Sequence, residues 1–124
     1  MAVAEHFRDQ GKQVRFLMDS VTRFAEAHRE VALTAGEAPS LRAFPPSTAN
    51  YVAAVTERAG PGTGRSGDIT ALFTVLVAAA DMDEPVAELT RGLLDGHIVL
   101  DREIAELGRF PAVDVRRRVS RALP

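Results

Sequence analysis

The sequence contains no cysteine and only one lysine, Lys12, so nearly all its positive charge comes from arginine. The missing cysteines exclude disulfide bonds and thiolate metal sites. No apolar run approaches the roughly 18 residues of a membrane-spanning helix, and the acidic N-terminal segment does not resemble a secretory signal. The net charge of −2 does not indicate the excess of positive charge that binding to nucleic acid or an anionic membrane requires. We therefore expect a cytoplasmic protein that binds neither directly.

Hydrophobic residues make up 46% of the 124 residues, which is enough for one domain with a modest core. Apolar patterns predict strands that alternate with helices, and this alternation indicates an α/β fold with a mostly parallel sheet and helices on both faces. We expect residues 1–124 to form part of one domain, without a separate second domain. The predicted strands are residues 14–18, 68–79 and 97–100, and the predicted helices are residues 2–10, 21–35, 48–58, 86–94 and 101–107.

Residues 13–23, with the sequence QVRFLMDSVTR, are the centre of this pattern. A short apolar run that ends at Asp19 and is followed by a helical pattern is typical of a buried parallel strand. Ligands of open α/β sheets bind at the carboxyl ends of such strands, where a carboxylate can hold Mg²⁺ beside a phosphate. The simpler alternative is that Asp19 or Ser20 only caps the following helix.

Residues 59–67, AGPGTGRSG, look like a phosphate-binding loop but do not fit the P-loop pattern, which needs Lys followed by Ser or Thr. Arg65 stands in the place of that lysine, and the segment precedes a predicted strand instead of following one. Lys12 is followed by Gln13, so the sequence has no P-loop. We interpret residues 59–67 as a solvated, flexible connection.

Several longer motifs occur in a fixed order: DSVTRFAEAHRE at 19–30, PPS at 45–47, ERAG at 57–60, DMDEP at 81–85, LLDGHIVLDREIAELGRFPAVDV at 93–115 and VSR at 119–121. With these motifs the whole chain resembles the catalytic subunit of flagellar and type III secretion ATPases, which are related to the rotary F-type ATP synthase β subunit. The resemblance implies a RecA-like core that hydrolyses ATP with Mg²⁺. It also implies a bacterial homohexamer at the inner face of the export apparatus, which contacts the membrane only through partners.

The same resemblance implies roles for four residues. Asp19 matches the Walker B carboxylate that holds Mg²⁺, and Arg23 matches an arginine near the phosphates. Phe110 matches the aromatic that packs on adenine, and Arg121 matches the arginine finger that reaches a neighbouring subunit's ATP. From the residues alone, Arg23 could instead pair with a nearby carboxylate, and Phe110 could be a core residue.

In the resembled family, the P-loop and the catalytic glutamate precede the segment matched here, so the resemblance implies a partial RecA-like core that lacks the P-loop half. We expect the chain to be inactive alone. The alternative is a non-catalytic interaction fragment, or an inert remnant, that docks on full-length subunits. Arg15 stands where the family has an apolar strand residue, and it must reach an edge or a carboxylate because a buried unpaired charge is costly.

Overall fold

The computed structural model describes residues 1–38, 44–77, 84–117 and 119–120. These residues fall into two compact units, Met1–Leu93 and Leu94–Pro124. The end of the strand predicted at 68–79 and most of the DMDEP motif lie outside the described residues. No helix in the described part is both long and apolar enough to cross a membrane.

The described residues of the first unit form two parallel strands and four helices. Its elements are α1 (Ala2–Asp9), β1 (Val14–Met18), α2 (Val21–Thr34), α3 (Pro46–Thr56), β2 (Ile69–Phe73) and α4 (Pro85–Leu93). β1 and β2 pair in parallel, from Val14 opposite Ile69 to Met18 opposite Phe73. The predicted strand at Val14–Met18 and the α/β class are therefore confirmed.

The second predicted strand is shorter than the apolar pattern suggests, since β2 ends at Phe73. Beyond that point the backbone groups of residues 74 and 76 bond to the start of α2. The Val21 N–H donates to the Thr74 carbonyl at 2.9 Å, and the Leu76 N–H donates to the Thr22 hydroxyl at 2.8 Å. The Thr74 N–H still donates to the Met18 carbonyl of β1 at 3.0 Å. After this bond, the described part of the apolar run is tied to the start of α2 and not to a strand.

The core of the first unit lies on one face of this sheet. Val21, Ala25, Val52 and Val86 form its buried centre, and the strand residues Met18 and Phe73 are among the side chains that pack on it. Their burial follows from helical spacing on α2–α4 and from strand alternation on β1 and β2.

The opposite face of the sheet is exposed. Leu17 is 68% exposed and Leu72 is 56% exposed, and they are register partners. Arg15 lies on the same face and is also exposed, with no carboxylate partner among the described residues. Residues of α2, α3 and α4 pack on the core-side face, and Arg15 is solvated instead of buried.

The start of α3 differs from the prediction. The helix begins at Pro46 with Pro45 as its N-cap, two residues before the predicted start at residue 48. The Ser47 N–H and hydroxyl donate to the two carboxylate oxygens of Glu37, at 3.0 and 2.5 Å. On the same helix, Tyr51 is 55% exposed, and its ring lies against the ring of His28.

The connection between α3 and β2 is packed at its ends, so the prediction of a flexible segment is partly wrong. Gly67 is buried, and its N–H donates to the Arg8 carbonyl at 2.8 Å. The Gly62 N–H donates to the Asp68 carboxylate at 2.9 Å. The tip at residues 63–65 is exposed, and so is Pro61.

The second unit contains β3 (Gly96–His97), α5 (Arg102–Glu106) and β4 (Val119–Ser120). Among the described residues β3 pairs with β4, and the pairing is antiparallel, so the third strand predicted at 97–100 forms an antiparallel pair and not a parallel one. The reason is a chain reversal, in which Asp101 N–H donates to the Ala112 carbonyl at 2.8 Å and Asp114 N–H donates to the Val99 carbonyl at 2.9 Å. The Asp101 side chain caps α5 by accepting from the Ile104 N–H at 3.1 Å.

Candidate functional site

Asp19 lies where β1 ends, one residue before the cap of α2, as the sequence predicts. The neighbouring strand β2 ends in register with β1, so Thr74 lies beside Asp19 at the same edge of the sheet. Thr74 Oγ1 donates to Asp19 Oδ1 at 2.6 Å. Asp19 Oδ2 has no hydrogen-bond partner among the described residues, and the side chain is exposed. The site therefore presents one carboxylate oxygen to solvent at a rigid strand end.

Ser20, not Asp19, is the residue that caps α2. Ser20 is buried, with 3% of its surface exposed, and its hydroxyl accepts from the Arg23 N–H at 3.3 Å. A hydroxyl at this position satisfies one of the free N–H groups of the first helical turn. Because Ser20 does the capping, the Asp19 carboxylate is left for another role.

Arg23 lies in the first turn of α2, and its side chain is exposed. The structure shows no ion pair between Arg23 and Asp19, Glu26 or any other described carboxylate, so the alternative of a local ion pair is not found. An unpaired guanidinium near a strand-end carboxylate and a helix N-terminus suits an anionic ligand, because an arginine can donate two parallel hydrogen bonds to phosphate oxygens.

The Asp19 carboxylate can bind Mg²⁺ if phosphate oxygens and water supply the other ligands. No group of three or more His, Asp or Glu side chains among the described residues could form a complete metal cage. Mg²⁺, however, is commonly held by one or two carboxylates together with waters and substrate phosphates. Asp19 can supply one such carboxylate through its uncommitted oxygen, so the fit depends on phosphate supplied with the cation.

Phe110 lies in the second unit and is 78% exposed, so it is not a core residue of the described chain. It stands just before Pro111 in the chain reversal, after a turn in which Arg109 N–H donates to the Ile104 carbonyl at 3.2 Å. A flat, exposed aromatic next to a proline is suited to pack on a base. Arg121, the predicted finger, lies outside the described residues, and its role stays a prediction.

Sequence reasoning missed Thr74 and Thr22. Thr22 is buried, and its hydroxyl accepts from the Leu76 N–H and donates to the Leu76 carbonyl at 3.2 Å. The available signal was strand register, since Thr74 follows β2 just as Asp19 follows β1. Unless it is known that these two strands pair in parallel, nothing in the sequence marks Thr74 as a site residue, because it is a single hydroxyl residue within an apolar run.

Comparison with known proteins gives the family. The model of the ATP synthase alpha/beta family, nucleotide-binding domain, matches residues 1–120 of this chain. The chain belongs to this family. The resemblance stated from the motifs is therefore confirmed, and the family is one of nucleotide-binding domains.

Within this family, similar relatives include flagellum-specific ATP synthases. The chain is 51% identical to the flagellum-specific ATP synthase of Caulobacter vibrioides over 129 residues, which is all of this chain and 29% of the relative. It is also 51% identical to the flagellum-specific ATP synthase of Bacillus subtilis, over 98% of this chain and 27% of the relative. The chain thus spans less than a third of these relatives.

Solved structures agree with the sequence comparison. A prototypical ATPase from the type III secretion system of pathogenic bacteria superposes with a TM-score of 0.88 at 47% identity, covering 97% of this chain and 34% of the other. The assembled ATPase EscN of enteropathogenic E. coli gives a TM-score of 0.89 at 47% identity, covering 97% and 29%. At this identity and similarity the chain has part of the RecA-like fold of those ATPases.

Proposed function

We propose that this chain contributes part of the catalytic site of an ATPase that energises protein export through a flagellar or type III secretion apparatus. The observation that carries the proposal is the exposed Asp19 carboxylate at the end of β1, with one oxygen uncommitted. Flagellum-specific ATP synthases about half identical to this chain support the class of reaction.

Each proposed site residue has a physical task. Phosphoryl transfer depends mainly on positioning and on stabilisation of charge. Mg²⁺, when bound with ATP, neutralises phosphate oxygens, and Asp19 would hold it directly or through water. Arg23 would attract and orient the phosphates from the start of α2, and Phe110 would pack on the adenine.

Arg121 would act as an arginine finger that reaches the γ-phosphate of a neighbouring subunit's ATP. Such fingers contribute roughly 10³–10⁵ in rate where they have been studied. This role requires a ring, and we propose a homohexamer at the cytoplasmic face of the export apparatus. The similar EscN has been solved both as an assembled ATPase and in complex with its central stalk EscO, which supports an assembly with apparatus partners.

The 124 residues contain no P-loop, and no lysine follows the pattern that binds β- and γ-phosphates. We therefore propose that the chain does not hydrolyse ATP alone and that the phosphates are bound by residues other than these. The reaction would need that phosphate-binding part together with the residues found here.

The test measures Mg²⁺-ATP binding and turnover by the purified chain alone and mixed with a full-length ATPase subunit whose own arginine finger is removed. We expect no turnover alone and restored turnover in the mixture. Arg121→Ala in this chain should abolish the restoration, while the control Arg109→Ala, at an arginine that is exposed in the structure, should not. No restoration with the unaltered chain would overturn the catalytic proposal.

A second candidate function rests on the exposed sheet face that carries Leu17 and Leu72. A fragment with this face could dock on full-length subunits without contributing to catalysis. Added to an active full-length ATPase, it would lower turnover, and Leu72→Lys would relieve the inhibition. If the chain neither restores nor inhibits turnover, the remaining interpretation is an inert remnant.

A further inference from the structure

The hydrogen bond between Thr74 and Asp19 joins two residues that are 55 positions apart in the sequence. Thr74 Oγ1 lies 2.6 Å from Asp19 Oδ1 and 3.5 Å from the Met18 carbonyl. A hydroxyl has one proton to donate, and a bond to a charged carboxylate at the shorter distance is the stronger of the two. The Thr74 hydroxyl therefore donates to Asp19, and it occupies only one of the two carboxylate oxygens.

Thr74 is held on both sides of its own backbone. Its N–H donates to the Met18 carbonyl at 3.0 Å, and its carbonyl accepts from the Val21 N–H at 2.9 Å. Leu76, two residues after Thr74, is held by the buried hydroxyl of Thr22. That hydroxyl accepts from the Leu76 N–H and donates to the Leu76 carbonyl. The hydroxyl of Thr74 thus projects from a segment that is fixed to β1 and to the start of α2.

An exposed aspartate at a strand end can rotate about its side-chain bonds unless a neighbour holds it. A threonine is suited to hold it, because its β-branched side chain has restricted rotation. The bond to Oδ1 fixes the plane of the carboxylate and leaves Oδ2 facing solvent. A ligand that is already oriented loses less conformational entropy when it binds a cation.

We propose that Thr74 is a positioning residue, whose hydroxyl holds the Asp19 carboxylate in the orientation that presents Oδ2 to the divalent cation. This inference rests on the proposed role of Asp19. Outer-shell partners of carboxylate ligands typically contribute 10- to 100-fold in metal affinity. Because the bond between Thr74 and Asp19 is exposed, we expect an effect of about tenfold, at the lower end of that range.

The first test needs no metal. Three-bond couplings between the α and β protons of Asp19, measured by NMR on the full 124-residue chain, report the rotamer of its side chain. We expect one dominant rotamer in the unaltered chain, averaged couplings in Thr74→Val, which keeps the shape but loses the hydroxyl, and a dominant rotamer again in Thr74→Ser. Thr70→Val, on the same exposed face of β2, is the matched control and should leave the couplings unchanged. Unaltered couplings in Thr74→Val would overturn the inference.

The second test uses Mn²⁺ as a paramagnetic probe for Mg²⁺. Titration of the Mn²⁺–ATP complex into the same chain, which supplies the phosphate that this site needs together with the cation, should broaden the NMR signals of residues 18–21. The apparent dissociation constant at these residues should rise about tenfold in Thr74→Val, at the lower end of the range for outer-shell partners, and return in Thr74→Ser.

The two ways to fail are distinct. If the Mn²⁺–ATP complex causes no broadening at residues 18–21 of the unaltered chain, the metal role of Asp19 is wrong, and so is the purpose assigned to Thr74. If broadening occurs equally in the unaltered chain and in Thr74→Val, the metal role stands and the positioning role is wrong.

Discussion

Two carboxylates of the first unit are held by specific donors. The guanidinium of Arg58 donates to Glu5 through both its Nε and a terminal nitrogen, and this hydrogen bonding lowers the pKa of Glu5. The Ser47 hydroxyl, followed by the Ser47 backbone N–H, lowers the pKa of Glu37 below its ordinary 4.5. Both carboxylates favour the folded state only while they are ionised, because an ionised carboxylate accepts these bonds more strongly.

Replacement of Glu37 should therefore affect stability in a pH-dependent way. A carboxyl whose folded-state pKa is depressed contributes stability above its unfolded pKa, and that contribution is lost as the pH falls through the folded pKa. We expect Glu37→Gln to lower the melting temperature at pH 7, and the difference from the unaltered chain to disappear as the pH falls below 4.5.

The matched control is Glu30→Gln, at an exposed position on α2 with no side-chain partner among the described residues. Melting curves from pH 3 to pH 7 by circular dichroism would check the prediction. A melting-temperature difference for Glu37→Gln that is the same at every pH would contradict it, as would an equal effect of Glu30→Gln.

Among the elements, the connection between α3 and β2 is held by backbone contact with the turn between α1 and β1. A Cβ placed on Gly67 would overlap the carbonyl of Lys12 and crowd Gly11. The clash is with backbone, which cannot swing aside as a flexible side chain can. The glycine at position 67 is therefore required by close approach and not by flexibility of the segment.

Gly67→Ala should lower the free energy of unfolding by about 1–3 kcal/mol, the range for overpacking at a tight site. Gly92→Ala is the control, since a Cβ at Gly92 in α4 meets nothing within 4 Å. Alanine favours a helix over glycine by up to about 1 kcal/mol, so the control should be neutral or stabilising. Urea denaturation of the two variants would measure both effects, and equal midpoints would show that the loop can move away.

For the whole molecule, the main feature is the uncovered face of the parallel sheet in the first unit. Parallel sheets are usually covered on both faces, and here Leu17 and Leu72 lie side by side on the open one. Both strands are also edges of a two-stranded sheet within the described residues. Exposed apolar faces and unpaired strand edges favour association with other chains.

We expect the isolated chain to be marginally stable and to self-associate as its concentration rises. Leu72→Lys should reduce this association by placing a charge on the open face. Leu107→Lys is the control, since Leu107 is 73% exposed and belongs to the second unit, not to β1 or β2. Sedimentation velocity over a range of concentrations would measure the effect. A monodisperse monomer with a cooperative thermal transition would contradict the prediction.

The sequence by itself determined the family, the α/β class and most helix and strand positions. These features depend on local signals: the apolar run before Asp19, the helical spacing of α2, and proline in the first turns of α3 and α4. Motifs such as LLDGHIVLDREIAELG are specific enough to identify relatives without any structure. The proposed roles of Asp19, Arg23, Phe110 and Arg121 also came from such matched motifs.

The tertiary structure decided features that depend on residues far apart in the chain. The apolar run after Asp68 predicts a long strand, and only the backbone bonds to α2 show that β2 stops at Phe73. Serine is a residue type that often caps a helix, yet the hydroxyl and the N–H of Ser47 donate to the carboxylate of Glu37, ten positions earlier. The pairing of Thr74 with Asp19 follows from parallel register between segments 55 positions apart. Local patterns fix which residues favour a helix or a strand, whereas hydrogen-bond partners across the fold are fixed only when strands and helices pack together.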